Sequence, residues 1–341
     1  MYDAIIAGAG PAGSAAAMAL AQQGGRVLLT DRCALPRYKS CSGMLIEKTL
    51  ALTERYFGRE IPAEALCAPA KNRGMVFTDD RGREYRFEQS GLNVWRSGYD
   101  GFLARRAAEC GAQLRDGTPV VSCREEGAGL AVSLGGGEPR TERTRYLLVC
   151  EGAAGFLRRR LTGAARDFVA TLQTFSRGEI DLDPHYFYAY LQPELSGYDA
   201  WFNVKDGQLV LGVSAAEPEK LAGCYRRFIA YMEQKHGLRQ GEPLRRDKWL
   251  MPRVRPGCPL ELGRGRVLFA GEAAGFLNPM GEGISSALES GHQAALAVSA
   301  HPERPEQALE VYRRETEALR DYMVRQWRVT ARLAGTFREM A

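Results

Sequence analysis

Residues 1–31 read MYDAIIAGAGPAGSAAAMALAQQGGRVLLTD, and the order of residue types in this stretch decides the architecture. An apolar run at 4–7 meets Gly8, Gly10 and Gly13; an alanine-rich helical pattern follows, then a second apolar run at 27–29 that stops at Asp31. Strand, glycines, helix, strand and acid in this register form a βαβ unit with a dinucleotide fingerprint. Gly8 permits the tight turn off the strand. Gly10, with Pro11 and Ala12 beside it, lets backbone N–H groups approach a pyrophosphate. Gly13 lets the helix lie close on the sheet, its positive end toward the phosphates. Asp31 closes the second strand, where a carboxylate takes both hydroxyls of an adenosine ribose. A merely structural glycine turn leaves Asp31 unexplained.

A chain of 341 residues is long enough to bury a large core, and two intimately connected domains are expected. The net charge of +5 is mild and without a basic run. It suits anionic cofactors, phosphorylated substrates or an acidic membrane surface, and no nucleic-acid partner is expected. No apolar stretch reaches the ~18 residues read as a spanning helix. The chain enters a strand at once, so no signal peptide is expected and the expected location is the cytoplasm. Cys33, Cys41, Cys67, Cys110, Cys123, Cys150, Cys224 and Cys258 are scattered without CxxC or Cys/His spacing. Reduced thiols and no metal site are expected. None of the four histidines has a serine or cysteine motif beside it that suggests a hydrolase triad.

Beyond Asp31, a basic, proline-broken loop from Arg32 to Gly43 suits a large anionic cofactor, and a helical pattern runs from Leu45 to about Tyr56. Residues 75–87 alternate around Asp79-Asp80-Arg81-Gly82 and predict a hairpin that breaks the βα alternation. Helical spacing returns after Val94, with Tyr99, Phe102, Leu103 and Ala107 on one side. The apolar run at 147–150 ends in Glu151-Gly152, as a parallel strand does at a cofactor-facing edge. From 167 to 213 the pattern is strand-like and aromatic, predicting one antiparallel sheet. Its aromatic face suits either the wall of an apolar pocket or packing against a helix.

The strand at 267–270 ends in Gly271-Glu272, and Asn278-Pro279-Met280-Gly281-Glu282-Gly283-Ile284 opens another helix. The acid can bind a polyol hydroxyl, and the helix aims its positive end at whatever lies ahead. Two separated acid-tipped strands plus the fingerprint specify FAD rather than NAD, which has no ribityl chain. The fold class expected is α/β: a Rossmann-like FAD-binding domain, an inserted antiparallel β-sheet substrate domain and a C-terminal helical segment. The boundaries expected are 1–70, 94–165 and 262–300 for the first, 71–93 and 166–261 for the second, and 301–341 for the third. In the last, arginines interleave with Tyr322, Met323, Trp327, Leu333 and Phe337. That pattern suits a helix packed on the FAD domain with a solvated basic face, or peripheral contact with a membrane surface.

The chain resembles the geranylgeranyl reductase family of FAD-dependent oxidoreductases, within the para-hydroxybenzoate-hydroxylase-like flavoprotein fold. The resemblance rests on GAGPAG with Asp31, Arg37-Tyr38-Lys39-Ser40-Cys41-Ser42-Gly43, Arg96 with Tyr99-Asp100 and Leu103, Glu151-Gly152, Gly271-Glu272-Ala273-Ala274-Gly275 and Asn278-Pro279 with Gly281 to Ile284. It implies that Arg32, Lys39, Ser40, Cys41 and Arg96 meet FAD, with Glu151, Gly152 and Gly271 at the strand ends. It implies Glu272 at the ribityl chain, and Pro279, Gly281, Gly283 and Ile284 at the isoalloxazine. Cys41 is implied as the catalytic residue beside the flavin; its bland reading is a buried small hydrophobe. Tyr198, Trp201 and Trp249 are the expected substrate pocket.

There are departures. Both acid-glycine motifs carry glutamate where aspartate is usual, and Trp201 is followed by Phe202-Asn203-Val204-Lys205 rather than Phe-Pro-Lys. The leading reading is a reductase or dehydrogenase passing hydride through flavin N5 to or from an apolar, isoprenoid-like or aromatic molecule. With no second GxGxxG, NAD(P)H or a protein electron donor would bind transiently. The rival readings are an aromatic monooxygenase using NAD(P)H and a non-catalytic flavin-binding redox partner. A halogenase is disfavoured, because Trp249-Leu250-Met251-Pro252 lacks that group's paired tryptophans.

Overall fold

The computed structural model describes residues 1–137, 140–163 and 167–339. The expected boundaries at 165 and 166 and the chain end at 341 lie outside the described residues. Two eight-stranded sheets carry the fold. In the first, strand Tyr2–Ala7 lies parallel between Val27–Thr30 and Arg140–Val149, and Val267–Phe269 runs parallel beyond the latter. These short apolar strands are buried on both faces, as parallel strands covered by helices must be. Helix Pro11–Gln22 packs between this sheet and helix Ile284–Ala300, and a Cβ at Gly291 would lie 2.0 Å from the Ala12 carbonyl oxygen. Only hydrogen fits there, so the two helices touch backbone to backbone.

The second sheet runs in the order Arg245–Pro252, Phe168–Ser176, Gln208–Ala215, Ala200–Lys205, Tyr186–Tyr190, Leu66–Thr78, Glu84–Val94, Met44–Ile46. Its pairings are antiparallel except one: Tyr186–Tyr190 runs parallel to Leu66–Thr78. The hairpin predicted at 75–87 is longer than its sequence signal. Its turn is held by the Asp79 carboxylate, which accepts from the N–H groups of Arg81 and Arg83, both at 2.9 Å. The helical pattern expected from Leu45 begins at Glu47 instead. Met44, Leu45 and Ile46 pair with Asn93, Leu92 and Gly91 as an edge strand, a tertiary pairing that overrides the local helical spacing.

The two faces of this sheet differ. Tyr186, Tyr188, Tyr190, Phe202 and Leu211 pack with Phe228 and Met232 of helix Leu221–His236. The tyrosine row therefore packs against a helix. The alternate residues, among them Phe187, Trp201 and Gln173, turn toward the first sheet and the cleft described below. After His301, helices Pro305–Glu315 and Glu317–Leu333 close over the first sheet. Tyr312 donates to the Phe269 carbonyl at 2.9 Å, and Met323 and Trp327 are buried. No described helix is long and apolar enough to cross a membrane.

Candidate functional site: a cleft between the two sheets

The glycine turn does mechanical work. Gly8 has φ +106°, and a Cβ there would lie 2.4 Å from the Cys150 carbonyl oxygen. A Cβ on Gly13 would lie 1.8 Å from the Gly8 oxygen, so the helix rests on the strand it follows. At Gly10 the situation is reversed. Its backbone is extended, and a Cβ would meet only the Arg37 guanidinium, at 3.4 Å. One face of Gly10 is thus open toward the cleft at the start of the helix, which suits an anion.

Asp31 sits at the end of its strand, its Oδ2 accepting from Ala9 N–H and Arg37 Nε, both at 3.0 Å. Arg37 reaches on to Asp100 Oδ2 at 3.1 Å, and Arg96 grips Asp100 through Nε at 2.8 Å and Nη2 at 3.1 Å. Asp100 is fully buried and Arg96 nearly so. On the far side, Glu272 accepts from Ala153 N–H at 3.2 Å and faces Lys39 Nζ at 3.8 Å. Burial pushes the Glu151 carboxyl up, against the Leu157 N–H that donates to it at 2.9 Å. Glu282 caps helix Ile284–Ala300, accepting from the N–H and hydroxyl of Ser285, both at 2.8 Å.

Asp31, Arg37, Lys39, Arg96, Glu151 and Glu272 border one continuous cavity of about 290 Å³. Of the residues singled out from sequence, Gly8, Gly10, Pro11, Ala12, Asp31, Arg32, Lys39, Ser40, Cys41, Arg96, Glu151, Gly152, Gly271, Glu272, Gly281, Gly283, Ile284, Trp201 and Trp249 line it. Gly13 and Pro279 lie outside the lining, Gly13 in the helix–strand contact. Tyr198 is a correction to the expected pocket. It lies before strand Ala200–Lys205 begins, buried in the core shared with the C-terminal helices, and its ring packs edge-on against Phe337 at 4.9 Å.

Residues 1–229, two thirds of the chain, match the family described as FAD binding domain. The chain belongs to that family. Among its relatives is geranylgeranyl diphosphate reductase from Rhodobacter capsulatus, 28% identical over 88% of this chain and 75% of that protein. Menaquinone reductase from Mycobacterium tuberculosis is 28% identical over 86% and 75%. In fold the chain is similar to a geranylgeranyl bacteriochlorophyll reductase-like protein from Thermoplasma acidophilum, with a TM-score of 0.83 at 19% identity over 97% of this chain and 87% of the other. The protein is an FAD-dependent oxidoreductase of the geranylgeranyl reductase type, and the resemblance read from its motifs holds. The open face of Gly10 at a helix start, the Asp31 carboxylate and the acid at Glu272 fit an extended dinucleotide with a polyol linker.

Where this FAD-binding fold meets the second sheet, the sheet's face is ordered by register. Trp201 pairs with Gly212, which pairs with Gln173. A Cβ at Gly212 would lie 2.1 Å from Trp201 Cε2, so the indole lies on the glycine. Asp199 is bonded to Ser214 in the neighbouring strand, and Ser214 pairs with Thr171, which pairs with Trp249. Opposite stands the loop carrying Cys41. Burial raises the Cys41 thiol, but Arg96, Lys39, the Gly43 N–H and Lys205 outweigh it and leave the thiol below its ordinary value.

Several of these residues escaped the sequence reading. Arg37 read there as a loop arginine of no assigned role. Lys205 is a nearly fully buried lysine whose Nζ donates to the Val94 carbonyl at 2.8 Å and lies 4.4 Å from the Trp95 ring centroid. Tyr38 ties the Cys41 loop to the second sheet: it donates to Asp247 and accepts from Gln173 Nε2 at 3.1 Å. Asp199 had one available signal, its spacing two residues before Trp201, which places both on one face.

Proposed function

We propose that the protein is an FAD-dependent reductase that hydrogenates an apolar, isoprenoid-bearing or quinone-like molecule in the cavity between the Cys41 loop and the Trp201 face. The observation that carries this reading is the continuity of that cavity with the cofactor cleft. The relatives named for geranylgeranyl diphosphate and for menaquinone support the substrate class.

When bound, FAD supplies a hydride at N5. The chain's own residues do the rest. The N–H groups from Gly10 onward and the start of helix Pro11–Gln22 would hold the pyrophosphate, Asp31 the ribose, and Glu272 the ribityl chain. Arg96 with Gly281, Gly283 and Ile284 would border the ring. Phe187, Trp201, Trp249, Leu250 and Met251 exclude water from the reacting carbon. Cys41 Sγ, on the opposite wall, carries the proton that partners the hydride. NAD(P)H or a protein electron donor meets the cavity transiently. The first sheet serves the cofactor and the second the substrate. The exposed arginines 325, 328 and 332, beside the exposed Val329, suit peripheral contact with an anionic membrane surface.

Oxygen dependence separates a reductase from a monooxygenase. NAD(P)H oxidation driven by a polyprenyl naphthoquinone is expected to proceed equally under argon and in air, yielding a product two hydrogens heavier. Cys41→Ala should retain FAD and lose at least about tenfold in turnover, a barrier change of about 1.4 kcal/mol. Required oxygen and an oxygenated product would overturn the reductase reading; unchanged turnover in Cys41→Ala would remove that residue from the chemistry.

A further inference from the structure

We infer that Asp199 is the specificity-determining residue of the substrate cavity: it hydrogen-bonds an oxygen on a neutral, otherwise apolar substrate and rejects anionic ones. This deepens the reading of the cavity as the substrate site and rests on it.

The geometry is particular. Asp199 immediately precedes strand Ala200–Lys205 and borders the cavity on the face that carries Trp201. Its Oδ1 accepts from the Ser214 hydroxyl, which fixes the carboxyl against the neighbouring strand. Among the described residues no cation pairs with Asp199, and nothing but Ser214 hydrogen-bonds its side chain. The second oxygen is left for whatever fills the cavity. The surrounding wall is apolar or neutral: Trp201, Trp249, Phe187, Leu250 and Thr171.

A carboxyl in such a wall selects by charge. A diphosphate brought close would meet a like charge in a low-dielectric pocket. A ring carbonyl or hydroxyl meets a partner instead: the acid form donates to a carbonyl, and the carboxylate accepts from a hydroxyl. Arg37 and Arg96 are held by Asp31 and Asp100, and Lys39 Nζ stands between Glu272 at 3.8 Å and the Trp249 ring centroid at 5.6 Å. These cations thus have carboxylates of their own, and none of them is paired with Asp199.

Burial pushes the Asp199 carboxyl up to about 6, opposed by the Ser214 bond. Binding of a carbonyl ligand should then be tight below that pH and weaken as pH rises through it, because the donor is lost. The titratable and charged groups nearest to consider are Tyr198 beside it with Arg253, and Tyr38, Lys39, Cys41 and Arg96 on the cavity wall. On strand Arg245–Pro252, Asp247 is held by Tyr38 and Arg245. Of these, Cys41 also titrates below its usual range, so it needs its own control.

The test uses FAD-loaded protein and reads binding, not turnover. Two probes, 2-methyl-1,4-naphthoquinone and geranylgeranyl diphosphate, are titrated against tryptophan fluorescence and the oxidised-flavin band. In the wild type, quinone Kd is expected to rise about tenfold from pH 5 to pH 8. In Asp199→Asn, whose amide donates at every pH, that dependence should vanish and the diphosphate should bind at least about fivefold tighter. Cys41→Ser should keep the wild-type pH dependence. Ser214→Ala, which frees the carboxyl from its anchor, should weaken quinone binding without removing the dependence. No quinone binding, a pH dependence that survives in Asp199→Asn, or wild-type preference for the diphosphate would each overturn the inference. An oxygen requirement in the turnover assay would instead overturn the reductase reading, and the binding result would stand apart from it.

Discussion

Asp100→Ala is expected to destabilise the protein by about 3–5 kcal/mol, the cost of stranding a buried charge whose partner has been removed. Asp100 is fully buried and takes both nitrogens of a fork from Arg96, with Arg37 on the same Oδ2. Its loss leaves Arg96, only 6% exposed, with the Cys41 sulfur as a neighbour in place of a carboxylate, and leaves Arg37 to pair with Asp31 alone. The measurement is thermal unfolding of FAD-free protein, where the melting temperature should fall on the order of 10 °C. The double variant Arg96→Met with Asp100→Leu should lose less than the single one, because it removes both charges together. A single variant that melts with the wild type would show that this pair does not hold the site.

Gly13→Val should abolish FAD retention and lower the stability of the empty protein as well. A Cβ at Gly13 falls 1.8 Å from the Gly8 carbonyl oxygen and 3.2 Å from Ile6 Cγ2, so helix Pro11–Gln22 must lift from its strand. That moves the helix start which faces the phosphates and disturbs the contact with helix Ile284–Ala300. Gly10→Ala is the informative partner. Its Cβ meets only Arg37 Nη2, at 3.4 Å, so melting of the empty protein should match the wild type. FAD affinity should nevertheless fall by about 10- to 100-fold, or about 1.4–2.7 kcal/mol, because the methyl group stands where the pyrophosphate approaches. Fluorescence titration of FAD into both variants separates the two effects. Equal losses of stability would contradict the distinction between a packing glycine and a binding glycine.

What could be read in advance was local. The turn from Gly8 to Gly13, the acid at Asp31 and the acid-glycine ends at 151–152 and 271–272 each sit within a few residues of the strand they terminate, so spacing alone reveals them. What escaped depends on register and on distant partners. Arg37 gains its meaning from Asp100, 63 positions away. Lys205 acts on Cys41 from strand Ala200–Lys205, far along the chain, and nothing near either residue announces the other. The tyrosine row at 186, 188 and 190 and the Trp201 face follow from strand parity, which cannot be assigned to one side until the neighbouring strands are placed. Tyr198 shows the same limit. It lies before the strand that begins at Ala200, so strand parity does not govern it, and it joins the core where Phe337 from the distant C-terminal segment meets it.

The central claim is that reduction takes place where the Cys41 loop meets the Trp201 face. Its most direct test is a single turnover without oxygen. FAD-loaded protein is photoreduced under argon and mixed with a polyprenyl naphthoquinone, and the return of oxidised-flavin absorbance is followed. Gly212→Val is the control, since its side chain would displace the Trp201 indole that lies 2.1 Å from the added Cβ. Rapid return in the wild type is predicted, with a rate at least about tenfold lower in Gly212→Val at equal FAD content. No return in the wild type until oxygen is admitted, or equal rates in the two proteins, would contradict it.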